Sequence, residues 1–260
     1  MIKKRPFCIA LLCMALFSGC SEVETAEILS SEIETVPVSS EETIQSIAGP
    51  TEEPTEPPLI TVQTLPENYQ IDVEPVLQLP ELPAGCEITS LTCLLNYLGF
   101  SADKEVMADT YLDYVLEGAT QYTLFDKYIG DPRADGYGCY SPVIVKAATE
   151  YLADQNSSMK AVNLSGSTQE EILLAVASGH PIVIWNTVDS MDVSEELAWR
   201  TPDGEEVYWC IWEHCLLLTG YDLKKNTVTV CDPLKCVAEY NLTQFFAVYN
   251  DLYQQAMTIY

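Results

Sequence analysis

The strongest constraint on the fold is the stretch over residues 82–91, in which a proline- and glycine-interrupted approach leads directly into an apolar helix. Apolar residues then recur at the spacing of one helix face, at Ile88, Leu91, Leu94, Leu95 and Leu98. Gly99 is suited to the left-handed conformation that ends many helices. The pattern predicts a buried helix with a fixed N-terminal end and with Cys86 in its first turn.

A cysteine in this position has two chemical interpretations. The unpaired N–H groups and positive dipole of a helix N-terminus favour the thiolate, and they can also stabilise a developing oxyanion. Cys86 is therefore a candidate nucleophile. Because free cysteines are among the most buried residue types, the alternative is that Cys86 only fills space in the core.

The N-terminal segment has the pattern of an export signal. Residues 3–5 are all basic, and they precede an uncharged apolar run over residues 7–17 that is too short to span a bilayer. The small residues 18–19 before Cys20 resemble a bacterial lipobox, in which the cysteine carries a lipid. We predict a signal peptide over residues 1–20 and an anchor on Cys20 that holds the protein at the outer face of the cell membrane.

The next segment differs sharply in composition. Residues 21–72 contain many Asp and Glu, no Lys or Arg, and scattered Pro, Ser and Thr. Such a chain cannot bury enough apolar surface to offset its ordering entropy, and like charges extend it. We predict a disordered acidic linker over residues 21–72 and one domain with a single core over residues 73–260.

The charge of the chain limits its partners. The formal net charge is −27, and no clustered basic stripe is present in the sequence. Binding to nucleic acid, or to an anionic membrane surface through basic side chains, is therefore not expected. Contact with the membrane is predicted only through the lipid on Cys20.

Within the domain, helical patterns come before strand patterns. After the first helix, further helices are predicted to begin near Ser101, at Ser141 and Pro142, and at a capping box formed by Ser167 and Glu170. Strand patterns follow at residues 181–185, 207–212, 214–221 and 227–232, with a turn at residues 203–204. This segregation predicts an α+β fold with an antiparallel sheet.

The last two predicted strands form a hairpin that contains a candidate catalytic pair. If the turn centres on Leu223, His214 lies opposite Asp232 on one face. A two-residue change of register keeps the two on that face as diagonal neighbours, whereas a one-residue change separates them. A carboxylate there would hold the imidazole in one tautomer while the other ring nitrogen faces a nucleophile.

The chain has two histidines, so the base is His214 or His180. His180 lies between Gly179 and Pro181, where a role in a loop or at the start of a strand accounts for it. His214 is therefore the preferred candidate.

The order cysteine, histidine, aspartate, with the thiol on a helix and the base on a sheet, is the papain-like arrangement. Five segments extend this likeness, namely residues 78–91, 136–142, 179–185, 213–222 and 231–234. Together they resemble the stand-alone branch of cysteine-peptidase family thirty-nine. The better-known members of that family cleave double-glycine leader peptides from exported bacteriocins.

The resemblance implies a papain-like cysteine peptidase that needs no cofactor. It implies Cys86 as the nucleophile, His214 as the general base and later acid, and Asp232 as the orienting group. Gln78 would be the side-chain donor to the oxyanion, beside the backbone N–H of Cys86. Glu87 would be structural, because an acid in the first turn complements the helix dipole.

The substrate implied is a peptide or protein, with several classes left open. Tyr137 and Trp185 are candidate residues of a substrate groove, although core packing is the alternative for aromatic side chains. The sequence lacks the phosphate-binding loop of the transporter-fused members, so exported peptides, surface proteins and wall cross-links are all candidate substrates. The alternatives to a peptidase are a catalytically silent binding or adaptor module and an amidase of cell-wall peptides.

The same hairpin register makes a prediction about the remaining cysteines. It places Cys215 opposite Cys231 and Cys210 opposite Cys236, which predicts two cross-strand disulfides in an exported protein. These four residues with His214 could instead form a zinc site, but neighbours such as His214 and Cys215 point to opposite faces of a strand. Buried free thiols are the third possibility, and we expect no metal.

Overall fold

The computed structural model describes residues 64–260. The predicted export signal, Cys20 and most of the predicted linker lie outside the described residues. The first strand, β1 (Asn68–Gln70), pairs antiparallel with residues 220–222 of the main sheet. Because this strand lies inside the segment predicted as linker, the boundary at residue 73 was wrong and the folded domain begins before it.

The first three helices follow the sequence pattern closely. They are α1 (Cys86–Tyr97), α2 (Lys104–Thr110) and α3 (Ser141–Asp154). Gly99 follows α1 with a φ of 92°, which is the left-handed conformation that the sequence predicted. The carboxylate of Asp103, rather than Ser101, caps α2 by accepting hydrogen bonds from the next turn.

Two helices later in the chain show where the pattern was less informative. In α4 (Gln169–Ala177) the capping box is formed by Thr168 and Glu171, one residue later than predicted. Both Ser167 and Thr168 have a glutamate three residues on, so the spacing did not separate them. The sequence did not predict α5 (Leu242–Asp251), which Asn241 caps.

The remaining strands of the described residues are short and mostly belong to one sheet. They are β2 (Tyr114–Val115), β3 (Tyr128–Gly130), β4 (Gly136–Gly138), β5 (Ala161–Asn163), β6 (Ile182–Thr187), β7 (Glu195–Arg200), β8 (Glu206–Cys210), β9 (Glu213–Asp222), β10 (Thr227–Asp232), β11 (Cys236–Asn241) and β12 (Ala256–Ile259). The main sheet has the order β11, β10, β9, β6, β12, β5, with β1 added against β9.

Every pairing within the main sheet is antiparallel. The mixed helical and antiparallel content agrees with the predicted α+β class. Strands β2, β3 and β4 form a small second sheet, and β7 and β8 form a hairpin around the predicted turn at residues 203–204. This hairpin occupies most of the stretch of chain between β6 and β9.

The hairpin of β9 and β10 has a different register from the predicted one. Thr227 lies opposite Asp222, and after a bulge at residues 229–230 Cys231 lies opposite Leu217. The pairing is displaced by two residues at the site. Because side chains alternate with a period of two, His214 and Asp232 stay on one face as diagonal neighbours.

This displacement overturns the predicted disulfides. Cys215 is not opposite Cys231, and Cys210 lies in β8, which pairs with β7 in a different sheet from Cys236. All seven cysteines of the described residues are free thiols.

Helix α1 is fixed by packing against β9 and β10. Its predicted apolar face is fully buried at Ile88, Leu91, Leu94 and Leu95. Full burial of each such side chain contributes about 1.5–3 kcal/mol relative to exposure, so the orientation of the helix is strongly determined. Among the described helices, none combines the length and apolar character that crossing a bilayer requires.

Candidate active site

Cys86 is the first residue of α1, so the fold presents its thiol at a helix N-terminus. Gly85 precedes it at the cap position. A Cβ added to Gly85 would lie 2.8 Å from Cβ of Leu82, so a residue with a side chain cannot replace it without displacing the approach segment. The proline- and glycine-interrupted approach seen in the sequence therefore sets the position of the thiol.

His214 and Asp232 form a direct contact on the sheet. Nε2 of His214 lies 2.8 Å from Oδ1 of Asp232, and both side chains are buried. The backbone N–H of Leu234 donates to the same carboxylate oxygen at 2.8 Å, and the hydroxyl of Tyr240 donates to Oδ2 at 2.8 Å. Nδ1 of the imidazole is the nitrogen that this contact leaves unused.

The surroundings of Asp232 favour its ionised form. Burial opposes ionisation, but the hydrogen bond from His214 and its charge, with the donors Leu234 and Tyr240, outweigh it and lower the pKa of Asp232 below its ordinary value. A buried carboxylate with three donors is a fixed hydrogen-bond acceptor. It holds the imidazole in one orientation and favours the tautomer with a proton on Nε2.

The thiol of Cys86 has a partner that the sequence did not indicate. Its Sγ donates to Oε2 of Glu87 at 3.3 Å. Burial, together with the nearby Glu87 and Glu213 carboxyl groups, raises the pKa of the Cys86 thiol well above its ordinary value. The expected stabilisation of a thiolate by the helix end is therefore wrong for this resting arrangement, in which Cys86 is a hydrogen-bonded thiol.

Glu87, which is buried, and Glu213, which is half-buried, place their carboxyl groups beside the thiol. Oε1 of Glu87 accepts a hydrogen bond from the backbone N–H of Cys139 at 2.9 Å, whereas Oε1 of Glu213 is buried with no partner. Burial is the main reason that the pKa of each carboxyl group is raised, and for Glu213 the charge of Glu87 adds to it. Glu87 was predicted as a complement to the helix dipole, and Glu213 was not predicted at all.

Gly138 makes room for this pair. It has a φ of 82°, and a Cβ there would lie 2.6 Å from Oε1 of Glu87 and 3.1 Å from Oε2 of Glu213. The only sequence signal was its place in the Gly136–Gly138 segment. The positive φ and the close approach of two carboxyl groups both require glycine.

Within the described residues, one group of side chains has the spacing of metal ligands. Sγ of Cys86 and one carboxyl oxygen each from Glu87 and Glu213 lie within 4.8 Å of one another. This group shares none of its members with the zinc site considered from the sequence, which would have used His214 and Cys210, Cys215, Cys231 and Cys236.

Cys86, Glu87, Glu213 and His214 line one open cavity of about 590 Å³. Gln78 also lines it and is only 3% exposed. Its backbone N–H donates at 2.9 Å to the carbonyl oxygen of Pro233, the residue that follows Asp232. Its side-chain Nε2 donates to the carbonyl oxygen of Pro83 at 2.8 Å. An amide nitrogen has two hydrogens, so Gln78 keeps one further donor at this position.

The two predicted groove residues have different locations. Tyr137 lines the cavity, where its ring packs edge-on against Trp199 and Trp209 at centroid distances of 5.3 and 5.2 Å. Trp185 is fully buried, and its Nε1 donates to Cys139 O at 2.7 Å. The prediction for Trp185 was therefore wrong, and Trp209 is the tryptophan that lines the cavity.

His180 lies elsewhere in the fold. Its ring packs edge-on against Tyr260, with 4.5 Å between centroids. It is not among the residues that line the cavity with Cys86.

The fold places the chain in the class of mixed α/β proteins that includes C39-like peptidases. A crystal structure of a protein from Bacillus anthracis, assigned as a C39-like peptidase, superposes with a TM-score of 0.66 at 28% identity. The match covers 75% of this chain and 98% of that one. Residues 70–257 also match the Peptidase C39-like family, and the chain belongs to that family. The resemblance predicted from the sequence is thereby confirmed at the level of the family.

Two further relatives give less information about function. The protein YvpB of Bacillus subtilis (strain 168), described as uncharacterized, is 30% identical over 149 residues, which are 56% of this chain and 57% of YvpB. Xylellain, a cysteine protease from Xylella fastidiosa, is 14% identical with a TM-score of 0.41, over 75% of this chain and 86% of xylellain. A likeness at that level supports no inference about activity.

Proposed function

We propose that this chain is a cysteine peptidase that hydrolyses peptide bonds with Cys86, His214 and Asp232. The observation that carries the proposal is the buried 2.8 Å contact between His214 and Asp232, next to a cavity that His214 shares with Cys86. Family membership supports the reaction class. The residue roles rest on this geometry.

The first half of the proposed reaction forms a thioester. Nδ1 of His214 accepts the proton of the Cys86 thiol as the sulfur attacks the peptide carbonyl carbon. The backbone N–H of Cys86 and the remaining N–H of the Gln78 amide stabilise the oxyanion of the tetrahedral intermediate. His214 then donates the proton to the leaving amine, and the acyl group remains on sulfur.

The second half returns the enzyme to its starting state. A water molecule gives a proton to Nδ1 of His214 and attacks the thioester carbonyl carbon. Collapse of this intermediate releases the carboxylic acid and restores the thiol. Asp232 stabilises the imidazolium in both halves because its pKa is held low, so it remains a carboxylate.

This reaction requires the thiol to change partners. In the resting arrangement its hydrogen bond goes to Glu87, and the nearby carboxyl pair disfavours the thiolate. Substrate that fills the cavity must therefore turn the thiol away from Glu87 and towards His214. Glu87 and Glu213 act in this scheme as residues that hold the nucleophile in its protonated form until substrate binds.

The lining of the cavity also bears on the substrate. It includes Glu87 and Glu213 but no Lys or Arg. We propose that peptides with neutral or basic residues beside the cleaved bond are preferred over acidic peptides, because the lining offers no cation to pair with an acidic side chain.

The test is turnover by the full chain of a library of short peptides, followed by mass spectrometry of the products. The proposal expects cleavage that Cys86→Ala abolishes and that Cys236→Ala, at an exposed cysteine, leaves unchanged. Parallel digestion of purified cell-wall peptides identifies an amidase if only that material is cut. Equal product from the wild type and Cys86→Ala would contradict the assignment.

A binding or adaptor module is the second candidate, and one observation favours it. The resting thiol is hydrogen-bonded to Glu87 and has a raised pKa, which is unfavourable for a nucleophile. If neither peptides nor wall material are cut, while the wild type and Cys86→Ala bind the same peptides with equal affinity, the module is supported instead.

We also propose that the protein is exported and anchored through a lipid on Cys20. The support is the basic, apolar and small-residue pattern of the first 20 residues, followed by the acidic segment. Metabolic labelling with an alkyne-bearing fatty acid should mark the wild type but not Cys20→Ala. Retention of the label by Cys20→Ala would contradict it.

A further inference from the structure

Two cysteines that take no part in the proposed reaction lie together behind the site. Cys93 is on α1 and Cys231 is on β10, and they are 2% and 4% exposed. The two thiols are close enough for each to shift the pKa of the other, and both contact the same segment of backbone. They are 138 positions apart in the chain, so only the tertiary fold brings them into contact.

A third segment holds both sulfurs in place. Sγ of Cys93 donates to the carbonyl oxygen of Glu74 at 3.3 Å, and Sγ of Cys231 lies 3.7 Å from the carbonyl oxygen of Val73. These two carbonyls are consecutive in the segment that leads from β1 to α1. The shared contact fixes both thiols against one stretch of backbone and restricts how far apart they can move.

We propose that Cys93 and Cys231 form a disulfide that joins α1 to β10 when the chain folds in the presence of a disulfide oxidant. The pairing differs from both bonds predicted from the hairpin register. It is independent of the proposed peptidase activity, because it rests on residues outside the cavity.

The bond forms by two thiol–disulfide exchanges. The thiolate of Cys93 attacks one sulfur of an oxidant RSSR, which gives a mixed disulfide and releases RS⁻. The thiolate of Cys231 then attacks the Cys93 sulfur, which forms the protein disulfide and releases the second RS⁻. The two protein thiols lose two protons and two electrons, and the oxidant becomes two molecules of RSH.

The two cysteines are suited to different steps of this exchange. The interaction with Cys231 lowers the pKa of Cys93 in spite of burial, while the same interaction and burial raise the pKa of Cys231. Cys93 is therefore the first to attack. Once the mixed disulfide exists, Cys231 is the thiol nearest to it.

The position of the bond gives it a consequence for the site. Cys93 lies two turns along α1 from Cys86, and Cys231 directly precedes Asp232 in β10. A covalent link there would tie the helix that begins with the proposed nucleophile to the strand that ends with the orienting aspartate. The cross-link also closes a long loop, which reduces the entropy of the unfolded chain.

Peptide mapping tests the proposal directly. The full chain is refolded with oxidised and reduced glutathione, its free thiols are alkylated under denaturing conditions, and it is cut with trypsin and a glutamyl endopeptidase. Cleavage after Glu87, Lys104, Lys225 and Lys235 isolates Cys93 in residues 88–104 and Cys231 in residues 226–235. Cys86 and Cys236 then fall in other peptides.

The expected product is these two peptides joined, with a mass two hydrogens below their sum, and separated after reduction. Recovery of both peptides fully alkylated would overturn the proposal, and so would Cys231 linked to Cys236 or Cys215. Thermal unfolding gives a second readout. Reductant should lower the Tm of the wild type and of the control Cys236→Ser by about 5–15 °C, and should leave the Tm of Cys231→Ser unchanged.

Discussion

The two sides of the candidate site are built in opposite ways. On the sheet side, the carboxylate of Asp232 receives hydrogen bonds from His214, Leu234 and Tyr240. On the helix side, the carboxyl groups of Glu87 and Glu213 lie close together, and one oxygen of Glu213 has no partner. The sheet side is preorganised for its proposed role, whereas the helix side is held in a state that substrate must change.

The two sides make stability depend on pH in opposite directions. The pKa of Asp232 is lowered by its partners, so the stability it contributes is present above its ordinary pKa and is lost as pH falls through its folded value. The pKa of Glu213 is raised by burial and by Glu87, so the stability of its protonated form is present at acidic pH and is lost as pH rises through its folded value. Asp232 therefore limits the stability of the protein at low pH, and Glu213 limits it at high pH.

The largest expected effect is on the sheet side. His214→Ala removes the proposed base, so kcat/KM for peptide cleavage should fall by about 10³-fold or more. His180→Ala is the matched control, since His180 packs against Tyr260 outside the cavity and should leave kcat/KM unchanged. Steady-state kinetics of both variants decide the point, and equal losses in the two would refute the role of His214.

On the helix side, the largest loss of stability is expected from a methyl group added at Gly138. Gly138→Ala places a Cβ 2.6 Å from Oε1 of Glu87 at a positive φ, so the free energy of unfolding should fall by about 2–4 kcal/mol. Gly166→Ala, with a φ of 86° and open space around the added Cβ, should lose only about 1 kcal/mol. Urea unfolding of both variants measures the difference, and similar losses would show that the carboxyl pair is not closely packed there.

Replacement of Glu213 should reduce the loss of stability at higher pH. In Glu213→Gln, the decline of unfolding free energy from pH 5, just above the ordinary pKa of a glutamate, to pH 8 should shrink by about 1–2 kcal/mol, because no carboxyl group is left to ionise at that position. The exposed Glu196→Gln should retain the decline of the wild type. Urea unfolding at the two pH values provides the measurement, and an unchanged decline in Glu213→Gln would contradict the raised pKa.

The smallest effect is expected from a single hydrogen bond on the sheet side. Tyr240→Phe removes one donor to Asp232 and keeps the ring, so the pKa of Asp232 should rise and kcat should fall about five-fold, equivalent to about 1 kcal/mol. Tyr208→Phe removes a surface hydrogen bond to Glu206 and should change neither. The acidic limb of the pH–rate profile reports the change in the pKa of Asp232. A limb that stays in place would contradict the role of Tyr240 in lowering that pKa.

Sequence patterns predicted the parts of this fold that local chemistry determines. The buried face of α1 and its end at Gly99 follow from apolar spacing and from the freedom of glycine to adopt a positive φ. The antiparallel sheet follows from the strand runs. The shared face of His214 and Asp232 tolerated an error of two residues in register, because the side-chain period of a strand is also two.

The failures share a physical cause, which is contact between distant segments. The disulfide predictions failed because they needed an exact register, and a bulge at residues 229–230 alters the pairing. Trp185 is of a residue type that can line a substrate groove, but both faces of its strand are buried. Glu213 looked like an ordinary neighbour of His214, because nothing local in the sequence indicates that α1 brings Glu87 against it.

The most direct measurement of the central claim is the rate at which a peptidyl chloromethyl ketone, which occupies the cavity as a substrate would, alkylates Cys86 at pH 7, located by mass spectrometry. We compare the wild type with His214→Ala and with the control His180→Ala. If His214 accepts the thiol proton, alkylation of Cys86 should be at least about ten-fold slower in His214→Ala and unchanged in His180→Ala. Equal rates in all three proteins would mean that Cys86 reacts without help from His214, and would contradict the proposed catalytic pair.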